Sequence, residues 1–181
     1  APGEAPRLID VVGGVEDLRH GRLRPFDEAN LDADPVRLLR AVRFIHKFDL
    51  NINDDLAAGI RRRAATLHNV SPERRRDELW KILGVRVPAD ALHTLRDLDL
   101  ITPTLPELAQ TIDVTQTPPH HLDVFEHTLL AMNYAADLCA WLREEDNALD
   151  PDLSDMLAPW QTNLRAHFSE MLSSGRTRAD I

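Results

Sequence analysis

Hydrophobic positions recur at helical spacing through most of the chain. Leu38, Ala41, Val42, Ile45 and Phe48 share one face at 100° per residue, so residues 35–48 read as an amphipathic helix. Leu56, Ala57, Ile60, Ala64 and Leu67 repeat the pattern from about Asp54 to Leu67, entered through an Asn51-Ile52-Asn53-Asp54 turn whose residues favour caps. A third helix, near 72–84, starts at Ser71-Pro72, with Ser as N-cap and Pro at the first helical position. Beyond Pro88, Ala91, Leu92, Leu95, Leu98, Leu100 and Ile101 continue as short helices broken near Pro103 and Pro106. Gln116 to Pro119 reads as a loop. A long helix then opens around His120 to Thr128, carried by Val124, Leu129, Met132, Ala136 and Leu138 or Cys139. A last helical stretch holds Leu157, Trp160, Leu164, Phe168 and Leu172. Ahead of them all, residues 8–24 are punctuated by Gly13-Gly14 and Gly21, with a short strand expected around Leu23. The acidic patch from Glu144 to Asp152 reads as a solvated loop. The pattern predicts an all-α fold, a helical bundle behind a short non-helical N-terminal segment.

Composition agrees. Glycine is scarce, a single tyrosine is present, and Leu, Ala, Arg and Asp dominate. A chain of 181 residues is long enough to bury a real core. The lone Cys139 excludes an internal disulfide, and no Cys/His cluster has zinc spacing, which points to a reducing, cytoplasmic setting. No apolar run reaches membrane-spanning length, so no membrane partner is expected.

Charge changes the picture. The net charge is −9, but residues 1–86 carry 16 Lys/Arg against 14 Asp/Glu, and residues 87–181 carry 5 against 16. Nucleotide or nucleic acid, if bound, belongs to the first half.

The helix at 35–48 carries candidate chemistry. Asp34 suits its N-cap and Pro35 its first position. Arg37, Arg40 and Arg43, three residues apart, fall on an arc away from the apolar stripe, with Asp34 at its edge. The plain reading is a capped core helix with a solvated basic face. The sharper one is recognition: a carboxylate accepts hydrogen bonds and a guanidinium only donates them. Cytosine and adenine pair an amino donor with a ring-nitrogen acceptor, whereas guanine and uracil present a carbonyl beside an N–H. An Asp and an Arg one turn apart would accept the first pair and mismatch the second. The other arginines suit triphosphate oxygens.

The run Asp34-Pro35-Val36-Arg37-Leu38-Leu39-Arg40-Ala41-Val42-Arg43-Phe44 resembles the nucleotide-selecting motif of the bacterial tRNA nucleotidyltransferase (CCA-adding enzyme) and poly(A) polymerase family. That motif is usually Glu-Asp-x-x-Arg, and Ala33 stands at the Glu position. The resemblance implies that Asp34 and Arg37 select incoming CTP or ATP, with Arg40 and Arg43 also lining the nucleotide pocket. Ile9-Asp10, Gly13-Gly14, Asp17-Leu18 and Leu23-Arg24 resemble the family segment joining catalytic head to neck, which couples their movements; Arg24 is either part of that coupling or a surface residue. Glu73, Arg74, Glu78 and Leu79 match the last neck motif, whose implied role is to brace the neck through ion pairs with the nucleotide-selecting helix. Arg61-Arg62-Arg63 cannot all point one way on a helix, so at most one or two would touch a ligand.

His120-His121-Leu122-Asp123-Val124-Phe125-Glu126-His127-Thr128 resembles the opening of an HD-type metal-dependent phosphohydrolase domain, with His127 as first ligand. Such a site also needs a His-Asp dyad, and no His-Asp pair occurs in the sequence. The plain reading there is a capped helix start.

Phosphoryl transfer to an RNA end needs paired carboxylates holding Mg2+. The family carries them in the head. Asp32-Ala33-Asp34 has the spacing, but no flanking strand or glycine turn, and is rejected as that pair. The implied organisation is the end of the head over 1–26, the neck over 27–86, and a helical body with the incomplete start of an HD-like region over 87–181. The expected function is the neck and body of a tRNA nucleotidyltransferase or poly(A) polymerase, with CTP or ATP and the 3′ end of tRNA or other RNA as partners. The head would lie outside this chain and hold Mg2+, so this stretch alone would be inactive. Two alternatives stand beside it: a truncated HD phosphohydrolase and a non-catalytic helical RNA-binding module.

Overall fold

A computed structural model of the protein describes residues 8–143 and 149–173, and the 144–148 part of the expected acidic loop lies outside them. Among the described residues the fold is helical, with no sheet: α1 Gly14–Arg19, α2 Ala29–Ala33, α3 Val36–Phe48, α4 Asp54–Arg63, α5 Pro72–Leu83, α6 Pro88–Asp97, α7 Ile101–Thr104, α8 Pro106–Ala109, α9 Val124–Leu142, α10 Pro151–Leu157 and α11 Gln161–Ser173. None of these helices is long and apolar enough to cross a membrane.

The apolar stripe of α3 organises the packing. Val36, Leu38, Leu39 and Val42 are fully buried, and α3 packs on α5 and α6 in a cluster that also holds Ile82, Leu92 and Leu95. α6 in turn packs on α9, adding Phe125 and Leu129. A single hydrophobic cluster therefore runs from Leu31 to Leu129, straight across the neck–body boundary expected at residue 86.

Local rules account for most helix ends. Asn53 caps α4 by accepting from the Leu56 N–H at 2.9 Å. Pro72 and Pro88 sit at first positions of α5 and α6, where no amide proton is needed.

Several details differ from expectation. The N-cap position of α3 is Pro35 rather than Asp34, and the Asp34 carboxylate is held first by a distant arginine, with the Val36 N–H a lesser contributor. Ser71 donates position but no side-chain cap. Phe48 is 52% exposed, because the last turn of α3 runs past the core while Leu39 fills its inner face instead. The second predicted helix ends at Arg63 and tightens into a 3-10 turn over Ala64–Asn69. Pro151-Asp152, expected in a loop, open α10 under an Asp150 cap. The expected Leu23 strand is only an isolated parallel bridge between Arg22 and Asn51. There the Leu23 N–H donates to the Asn51 carbonyl at 2.8 Å and the Asn51 N–H to the Gly21 carbonyl at 2.7 Å. The N-terminal segment also holds the six-residue α1, started by Gly13 in the left-handed region at φ 76°.

Candidate nucleotide-binding cleft

The outer face of α3 borders an open cleft of about 440 Å³. Arg37, Arg40 and Arg43 line it from the helix, Arg24 and Leu23 from the N-terminal segment, and Phe26 and Phe44 add aromatic faces. The structure thus gathers three of the four predicted site residues. Asp34 is not in the lining; it sits one turn away, ahead of α3.

Arg37, Arg43 and Asp34 are held by hydrogen bonds, and Arg40 by an ion pair alone, its buried Nε having no hydrogen-bond partner. Arg37 Nη1 donates to the Asn30 carbonyl at 2.8 Å, fixing the guanidinium against α2. Arg43 Nε donates to Glu78 Oε2 at 2.9 Å and its guanidinium lies 4.5 Å from the Phe44 ring centre. Arg40 Nε stands 3.5 Å from Glu78 Oε1, and Lys81 Nζ donates to that same oxygen at 3.0 Å. Burial alone would raise the Glu78 carboxyl, yet the hydrogen bonds from Lys81 and Arg43 outweigh it and hold it below the usual carboxylate range. Arg74 Nη2 donates to both oxygens of Asp34, at 3.1 and 2.9 Å. That hydrogen bond keeps the Asp34 carboxyl below its ordinary value, so it is an anion and a pure acceptor at neutral pH.

The Asp32-Ala33-Asp34 pair is split by its partners. Asp32 accepts from Arg63 Nε at 2.7 Å and Nη2 at 3.0 Å, while Asp34 turns to Arg74. Two carboxylates spent on two different guanidinium groups do not make a metal pair. Of the arginine triple, Arg63 holds α2 through Asp32 and Glu28, and Arg61 Nε donates to the Asp97 carbonyl at 2.8 Å. Arg24 forms an ion pair with Asp17 at 2.6 Å and donates to the Val12 carbonyl while bordering the cleft.

At the start of α9, Asp123 is a cap. Its Oδ1 accepts from the Glu126 N–H at 2.7 Å and its Oδ2 from the Asp113 N–H at 3.1 Å. The His127 ring packs edge-on against His120, 5.3 Å between centres. Among the described residues, no three His, Cys, Asp or Glu side chains gather to hold a metal.

Sequence reasoning missed Phe26 and Asn30, whereas the ion pairs of Arg74 with Asp34 and of Glu78 with Arg43 are of the kind expected of the last neck motif.

The family model described as the probable RNA and SrmB-binding site of polymerase A matches residues 49–112. The A-adding tRNA nucleotidyltransferase of Deinococcus radiodurans is 39% identical over 135 residues, 72% of this chain and 31% of that protein. The chain belongs to the tRNA nucleotidyltransferase and poly(A) polymerase family. The multifunctional CCA protein of Chromobacterium violaceum is 35% identical over 156 residues, 84% of this chain and 38% of its own length. The chain thus spans about a third of the length of these family members. A CCA-adding enzyme in complex with ATP shares the fold at a TM-score of 0.57 and 21% identity, over 95% of this chain and 48% of that one. The Thermotoga maritima CCA-adding enzyme complexed with tRNA does so at 0.52 and 22%, with the same coverage.

Proposed function

We propose that this chain is the nucleotide-selecting neck and body of an RNA 3′-end nucleotidyltransferase, adding C and A or A alone. The observation that carries the proposal is the grouping of Arg37, Arg40 and Arg43 on one cleft, one turn from an Asp34 carboxylate held ionised by Arg74. Arg40 and Arg43 take triphosphate oxygens as guanidinium forks. Asp34 accepts the exocyclic amino group of cytosine or adenine, and Arg37 donates to the adjacent ring nitrogen. Arg74 occupies one direction at each Asp34 oxygen, and a carboxylate has lone pairs left for a base.

The carboxylates that bind Mg2+ and the reacting 3′ hydroxyl belong to a head outside this chain, since Asp32 and Asp34 are spent on arginines here. The metal would there align the hydroxyl with the leaving pyrophosphate. The RNA-binding family model matched at 49–112 takes in α4, α5 and α6, which supports a role for this part of the neck and body in holding the RNA 3′ end. The test is nucleotide choice by the intact enzyme. Arg37→Ala should lose preference for CTP and ATP over UTP and GTP, and unchanged preference in folded protein would overturn the assignment. Nothing at α9 favours the HD phosphohydrolase reading, because Asp123 is committed to capping.

A further inference from the structure

Glu78 is the only charged residue that is buried among the described residues, at 4% exposed. Burying a carboxylate is costly unless cations and hydrogen bonds compensate it. Here the compensation is lopsided: Arg43, Arg40 and Lys81 converge on its two oxygens at 2.9, 3.5 and 3.0 Å. Helix bracing needs one such partner, and Arg43 alone supplies it. The second arginine and its geometry call for another account.

Both arginines approach Glu78 with Nε, the inner edge of the guanidinium. Neither spends its Nη groups on another residue among the described ones. Both also line the cleft. An acid beside an anion site would weaken binding by repulsion unless its charge were spent. Glu78 spends it on three cations, leaving a surplus of positive charge at the cleft wall.

We infer that Glu78 is a positioning residue: its carboxylate accepts from Arg43 Nε, draws Arg40 in by charge at 3.5 Å without a hydrogen bond, and so presents the Nη edges of both to the phosphates of the incoming nucleoside triphosphate. It also offsets the mutual repulsion of two guanidinium groups one helical turn apart. This rests on the nucleotide-binding reading above.

The test uses the intact nucleotidyltransferase that carries this segment and the nearly isosteric Glu78→Gln. KM for ATP and for CTP should rise together by about ten-fold, the size expected when charge-assisted contacts lose their geometry. Preference for CTP and ATP over UTP and GTP should stay as in the parent, because Asp34 and Arg37 are untouched. In an Arg40→Ala/Arg43→Ala background, Glu78→Gln should add no further rise, since it has nothing left to orient. An unchanged KM in folded Glu78→Gln overturns the inference. So does a rise that adds in full to that of the arginine double variant, which marks bracing alone. If Glu78→Gln fails to fold, Glu78→Asp keeps the charge, withdraws it by one methylene, and carries the same comparison. The two readings fail separately. Arg40→Ala/Arg43→Ala with parental KM sinks the nucleotide cleft itself, whereas a raised KM there with none in Glu78→Gln sinks only the role of Glu78.

Discussion

Arg74, in the first turn of α5, holds Asp34, at the entrance to α3, through one Nη2 shared between both carboxylate oxygens across forty positions of sequence. Arg43 and Glu78 join the same two helices further along. The pair thus fixes the end of α3 where base selection is proposed. Arg74 is half exposed, so Arg74→Ala should cost only about 0.2–1 kcal/mol of stability. Its effect on nucleotide choice should be larger, because the freed carboxylate samples several rotamers. Urea midpoints of the variant and UTP misincorporation by the intact enzyme separate the two effects. A large loss of stability with unchanged fidelity would show that the pair only braces the neck.

Acid should weaken this fold through the same two carboxylates. Asp34 and Glu78 are both held below their ordinary values of 3.8 and 4.5, so the unfolded chain binds more protons over the window beneath them. The stabilisation is present above those values and is lost as pH falls through the lowered folded ones. The urea midpoint should therefore hold from pH 7 to about 5 and drop below about 4. Arg74→Ala should make the drop shallower by removing the largest cause at Asp34. An equally steep drop in that variant would place the acid sensitivity elsewhere.

The buried side of α3 is where stability resides. Leu38 is completely inaccessible and packs in the cluster shared by α3, α5 and α6. Leu38→Ala should cost about 2–5 kcal/mol, with a matching fall in melting temperature. Phe48→Ala, at an exposed end of the same helix, should cost far less by the same measurement.

How much of this was legible in the sequence depends on the range of the interactions. The inner face of α3 follows from apolar spacing, since helical period is a local property. Phe48 does not: periodicity names a face but not where the core under it ends. Asp34 shows the limit more sharply. Local reasoning offered a cap or a base contact, and the structure adds Arg74, whose approach depends on how α5 folds back on α3. The α3 arginines were legible as a group because three-residue spacing places them together. Phe26 and Asn30 were not legible as their neighbours, because both reach the cleft from the segment ahead of α3. The start of α9 was legible as a cap for the opposite reason, Asp123 and Glu126 being three residues apart.

By itself the chain should not extend RNA. Asp32 and Asp34 are each bound by a guanidinium, and the described residues offer no other group that could hold paired magnesium ions. Purified 181-residue protein supplied with tRNA lacking its 3′ end, CTP, ATP and Mg2+ should incorporate no CMP or AMP. Radiolabel transfer above a no-protein control would show that the catalytic carboxylates lie within this segment after all.

Base selection gives the sharpest contrast between roles for Asp34. Arg74 is its main partner and the Val36 N–H a lesser one, so replacement by a good capping residue has little reason to be silent on that ground. Asp34→Ala in the intact enzyme should impair CTP and ATP use and relax exclusion of UTP and GTP. Loss of one charge-assisted bond to a base costs roughly 1.5–3 kcal/mol, about ten- to a hundred-fold in specificity. Asp34→Asn keeps an oxygen for Arg74 but gives up the charge, and its amide presents a donor where the base also donates. Asp34→Ser keeps capping ability but is too short to reach either Arg74 or a base. Arg40→Ala and Arg43→Ala should instead weaken all four triphosphates alike, as phosphate contacts carry no base information. The decisive measurement is nucleotide selectivity of folded Asp34→Ser, scored beside Arg74→Ala. If both lose selectivity, the tethered carboxylate reads the base. If Asp34→Ser keeps the parental preference, Asp34 serves only as the anchor for Arg74.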